Sequence, residues 1–146
     1  MRYEMFYDLR HVTDDLIFIK WYKSASEHTR PQTDFIDDLR KRLKESPVPL
    51  YFISDLRDGR IVDVSILQKL GILAQHPNYG GGAAFSEDVL SSMFVGIFSK
   101  FANSEKGTGV FYKTMPEALA YLESLKPGLV TSVDWLAFLE TVDGNK

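Results

Sequence analysis

The chain has 146 residues, with 17 Lys plus Arg against 20 Asp plus Glu, a formal net charge of -3, and no cysteine. That length suits one domain, the balanced charge gives neither half the basic surface that captures nucleic acid, and the missing thiols exclude a disulfide framework, a thiolate metal site and a cysteine nucleophile. A hydrophobic fraction of 45%, with 10 Phe, 7 Tyr and 2 Trp, supplies one packed core rather than a disordered chain.

In chain order, Met1 to Asp8 lack the apolar run of a signal peptide, and no stretch reaches the roughly 18 uncharged apolar residues of a membrane span. The expected location is the cytoplasm. Tyr3 to Leu9 and Leu16 to Tyr22, separated by Thr13-Asp14-Asp15, form a β-hairpin, and the near-continuous second run reads as a central strand. Thr33 is placed to cap a helix in which Asp34, Asp37 and Asp38 precede Arg40, Lys41, Arg42 and Lys44, the order that complements the helix dipole. Phe35, Ile36, Leu39 and Leu43 make its apolar stripe. Leu50 to Leu56 reads as a buried strand, Arg57-Asp58-Gly59-Arg60 as a polar turn, and Asp63 as the cap of a second helix carrying Val64, Ile66, Leu67, Leu70 and Leu73.

Gly80-Gly81-Gly82 lacks the GxxxxGK[ST] pattern of a phosphate loop, so the run reads as closely packed backbone at the start of a strand. Ser86 then stands as the cap of a third helix, apolar over more than half its circumference. The excess is accounted for by ordinary core, by cover from the last helix, or by another subunit. Val110 to Lys113 is a short strand, and Thr114-Met115-Pro116-Glu117 matches a capping box ahead of Leu119, Leu122 and Leu125. Thr131 to Asp134 start a last helix bearing Trp135, Leu136 and Leu139. This order predicts an α/β domain over residues 1–146, with a core at about 3–125 and a C-terminal helix and tail at 126–146. Its four- to five-stranded sheet is mostly parallel, has an antiparallel N-terminal hairpin, and carries helices packed against it.

The hairpin and helix, Leu50-Tyr51-Phe52-Ile53-Ser54-Asp55-Leu56, and the stretch from Val110 to Leu122 together resemble the STAS family, in particular its SpoIIAA-like branch of anti-sigma-factor antagonists. The resemblance covers about residues 3–125. It implies a non-enzymatic regulatory module with a protein partner, kinase-like or sigma-regulatory, and a phospho-acceptor serine at the start of the second helix. Ser65 is the nearest match, although the adjacent serine pair and the glycine of the family's turn are missing. A phosphate there would meet unpaired helix amides and be opposed by Asp63.

Asp55, Arg57, Asp58, Arg60 and Asp63 lie at the carboxyl end of a predicted parallel strand, where open α/β sheets place ligand crevices. They form either a locally paired, solvated loop or an interaction surface over 57–67. Phe94, Phe98 and Phe101 mark the third helix as a candidate homodimer face. The alternative is a small-molecule or lipid pocket between the sheet and that helix, lined by Trp21, Tyr22, Phe94 and Phe98, with a volume on the order of several hundred Å³. His11, His28 and His76 have no second ligand at metal spacing. No nucleophile, acid–base pair, metal or cofactor motif is found, so no enzyme and no catalytic residue is expected.

Overall fold

A computed structural model describes residues 6–24, 30–102 and 110–143. β1 (Tyr7–His11) and β2 (Leu16–Trp21) form the N-terminal hairpin, antiparallel from Tyr7 opposite Trp21 to His11 opposite Ile17. The first strand is thus displaced toward the turn relative to the expected Tyr3–Leu9, of which residues 3–5 lie outside the described residues. β3 (Leu50–Asp55), β4 (Tyr79–Phe85) and β5 (Val110–Tyr112) each add in parallel, giving one sheet in the order β1-β2-β3-β4-β5. The mostly parallel α/β architecture is as the sequence predicts.

That strand order decides where the helices go. Strands added successively to the same edge through right-handed crossovers place every crossover helix on one face. α1 (Arg30–Glu45), α2 (Val64–Leu73) and α3 (Val89–Ala102) accordingly share one hydrophobic cluster with Ile17, Ile19, Trp21 and Phe52. α4 (Met115–Leu125) and α5 (Trp135–Asp143) cover the other face, over Leu16, Phe18, Ile53 and Phe85. Phe138 of α5 meets Phe18 with ring centroids 5.3 Å apart. The last helix therefore lies across the sheet from α3 and leaves it uncovered. With no reversal of strand order, the sheet also has no switch-point crevice of the doubly wound kind.

All six residues of β2 are buried, which is why its apolar run shows no alternation. In α1 the four apolar residues of the stripe are buried as expected, but the helix begins at Arg30, so Thr33 lies inside it. Pro31 suits that first turn because the donor it lacks would have had no intrahelical acceptor. Buried Gln32 turns its Oε1 to the backbone N–H groups of Val62, at 3.2 Å, and Asp63, at 3.4 Å, tying α1 to the approach of α2. Asp63 caps α2 through the Ser65 amide at 2.9 Å, and Thr114 caps α4 through the Glu117 amide. The capping-box hydroxyl also donates to the Glu117 carboxylate, at 2.9 Å. For α3 the cap is Asp88, which accepts from the Leu90 amide at 2.9 Å. Ser86 sits two residues upstream, accepting from the Asp88 amide at 3.1 Å.

The glycine run lies within β4. Gly81 has φ +145°, a conformation that disfavours a side chain. A Cβ on Gly80 would stand 2.7 Å from the Tyr51 ring, and one on Gly82 would stand 2.7 Å from the Tyr79 hydroxyl. Packing against two tyrosines accounts for the run.

Candidate functional site

Two features meet at the carboxyl edge of the sheet, one on each face. On the α4–α5 face, Lys20 of β2 and Asp55 of β3 are register neighbours, only 2% and 1% exposed. Lys20 Nζ donates to Asp55 Oδ2 and to Asp58 Oδ2, both at 3.0 Å. Arg57 grips the same carboxylate with Nε on Oδ1 at 3.0 Å and Nη2 on Oδ2 at 2.8 Å, and its backbone N–H donates to Oδ1 at 3.1 Å. Its guanidinium also lies 5.3 Å from the Phe85 ring centroid. Burial works against the Asp55 charge, but the hydrogen bonds from Arg57 and Lys20 outweigh it and hold the carboxyl below the ordinary range. Burial likewise works against Lys20, yet Asp55 and Asp58 keep its ammonium above the usual lysine value.

The loop that the sequence offers as an interaction surface is thus largely engaged with itself. Asp55 belongs to the interior, because its two oxygens satisfy Lys20 and Arg57. Arg57 and Asp58 remain half open to solvent. Arg60 pairs with Asp88 and donates from Nε to Ser91 Oγ at 2.7 Å, clasping the loop to the start of α3. Asp63 is occupied as the α2 cap, and the Ser65 hydroxyl donates to it at 2.7 Å. Ser65 itself lies exposed on the first turn. That hydrogen bond holds the Asp63 carboxyl below the ordinary range.

On the α1–α3 face, a cavity of about 120 Å³ lies between the sheet and the helices. Trp21, Phe35, Phe52, Leu67, Phe94 and Phe98 contribute to its apolar wall, and Ser54, Arg60 and Tyr79 contribute polar atoms. Trp21, Phe94 and Phe98 are therefore brought together as the pocket expectation has it, while Tyr22 is not in the lining. The volume is below the several hundred Å³ expected for that pocket. Phe101 packs instead at the far end of α3, where a Cβ on Gly71 would meet its Cβ at 2.5 Å. The outward residues of α3 are Val89, 81% exposed, together with Leu90 and Met93.

Elsewhere the polar groups serve local structure. His11 Nδ1 faces the Thr13 carbonyl at 3.2 Å, and His76 Nδ1 accepts from the Asn78 amide at 3.0 Å; His28 lies outside the described residues. Among the described residues no three metal-ligating side chains converge, and no helix is long and apolar enough to cross a membrane.

Two participants, Lys20 and Tyr79, escape the sequence reading. Lys20 carries a signal, since a charge between Ile19 and Trp21 in a buried strand demands a partner. Gly82 lies in the run read from the sequence as closely packed backbone, since a glycine inside a strand marks a close approach. Tyr79 carries no signal, because a tyrosine opening a strand reads as ordinary core. No protein-family model matches the chain, and comparison with curated proteins finds no match.

Proposed function

We propose that this chain is a binding domain that takes a compact, largely apolar small molecule into the cavity between the sheet and the α2–α3 layer. The cavity of about 120 Å³, walled by aromatic and aliphatic side chains, carries the reading. Its size decides the class of ligand. Sites for drug-sized molecules span roughly 300–1,000 Å³, whereas a dry apolar void of roughly 150 Å³ takes up benzene. A single ring fits; a lipid with its acyl chain does not. The ion network on the opposite face holds the carboxyl edge together and offers a ligand no open charge at Asp55. Toluene should therefore raise the unfolding temperature of the full chain in a saturable manner, and Ala84→Leu, which adds carbons at the cavity wall, should abolish the shift while circular dichroism stays unchanged. No shift in the parent chain, or an equal shift in the variant, would exclude the cavity as a binding site.

A protein-interaction module of the SpoIIAA-like kind is a second reading. Exposed Val64, Val89, Leu90 and Met93 favour it, since they flank the Arg60–Asp88 clasp and leave apolar surface beside the 57–67 loop. A second copy of the chain is the simplest partner for that surface. Sedimentation velocity then shows a dimer that Met93→Glu converts to monomer; a monomer at every concentration counts against self-association. Ser65 belongs to this reading as an exposed hydroxyl at a helix start.

A further inference from the structure

Among the polar side chains of the cavity lining is Tyr79, large and buried, with a single hydroxyl. Tyr79 is 6% exposed, its ring stacks on Phe52 with centroids 5.3 Å apart and planes inclined by 16°, and it lines the cavity. Among the described residues its hydroxyl makes no hydrogen bond, yet the oxygen is not sealed off and keeps accessible space beside it. A hydroxyl that faces such a space without a protein partner is an open hydrogen-bonding position, which phenylalanine, making the same stack, would lack. The chain also keeps room for the oxygen: any side chain at Gly82 would crowd it, at 2.7 Å from the first carbon. Burial pushes the Tyr79 pKa upward, so the group remains a protonated donor at neutral pH.

The electrostatics narrow the occupant further. Arg60 is the one charged side chain in the lining among the described residues, and Asp88 neutralises it. A carboxylate entering beside that pair would lose its hydration without gaining a free cation. The faces of Trp21, Phe52, Phe94 and Phe98 suit a flat ring packed edge-on or offset.

We infer that the Tyr79 hydroxyl is the polar anchor of the cavity, and that the occupant is a neutral single-ring molecule bearing one oxygen that accepts its hydrogen bond, as a phenol does. This rests on the small-molecule reading of the cavity. Phenol and toluene, nearly equal in shape, separate the two claims when each is titrated into the full chain and into Tyr79→Phe, with affinity read from amide chemical shifts. The variant keeps the ring and its stack. It should lose about tenfold in phenol affinity, the worth of one neutral hydrogen bond, with toluene affinity changed less than about twofold. Toluene binding with an unaltered phenol affinity in Tyr79→Phe, or with equal losses for both probes, overturns the anchor and leaves the cavity site standing. Binding of neither probe to the parent chain overturns both.

Discussion

Replacing Asp55 by alanine costs about 3–5 kcal/mol of folding stability. The Lys20 ammonium, 2% exposed, keeps the half-exposed carboxylate of Asp58 at 3.0 Å and the face of Tyr22, 5.5 Å from the ring centroid, while Arg57 loses the two Asp55 oxygens. A loss of that size is a large fraction of the roughly 5–15 kcal/mol that holds a domain together. Urea denaturation at neutral pH measures it directly. The double variant Lys20→Met with Asp55→Leu should recover most of the loss, because removing both charges removes the desolvation cost along with the attraction. A loss under about 1 kcal/mol in the single variant would mean that the pair behaves as an exposed one.

The same network sets a pH window. Asp55 has its folded pKa depressed, so its contribution is complete above the unfolded value, about 3.9, and is lost as pH falls through the folded one. Lys20 has its folded pKa raised, so its contribution is complete below about 10.4 and is lost as pH rises through the folded value. Stability should therefore carry a plateau contribution from this pair between those limits, and in Lys20→Met with Asp55→Leu the two flanks should flatten.

The second large effect is expected at Gly71. A methyl group there would lie 2.5 Å from Phe101 Cβ, 2.7 Å from the Phe101 carbonyl carbon and 2.8 Å from the Ala102 nitrogen, so α2 and α3 must separate to admit it. Gly71→Ala gains about 1 kcal/mol of helix propensity and should still destabilise by about 1–3 kcal/mol through overpacking. Gly96 provides the control on the same pair of helices. It is exposed, and a Cβ there would meet nothing within 4 Å, so Gly96→Ala should stabilise by about 0.5–1 kcal/mol. Thermal unfolding of both variants distinguishes close approach from a generic penalty on altering helical glycines; shifts of the same sign would refute the argument.

Much of this molecule is legible residue by residue. The order of strands and helices, the buried character of Leu16–Trp21 and the caps at Asp63 and Thr114 follow from local pattern, because alternation, apolar runs and capping chemistry act over a few residues. Two helix starts differ for a reason that is also local in scale but not in origin. Thr33 and Ser86 are good capping residues, yet Pro31 admits an earlier start for α1, and Asp88 stands nearer the first turn of α3. Which candidate caps depends on where packing lets the helix begin.

What composition and pattern determine here is therefore the class of fold and the exclusion of thiol chemistry. The tertiary structure alone decides what surrounds each side chain. It buries Asp55 by pairing β2 with β3, which places Lys20 beside it, and it sends α5 to the face opposite α3. It brings Trp21, Tyr79 and Phe98, far apart in the chain, around one void. A cavity belongs to no segment: its volume is the difference between how closely the backbones can approach and how fully the side chains fill the space between them, and both are set by contacts remote in sequence.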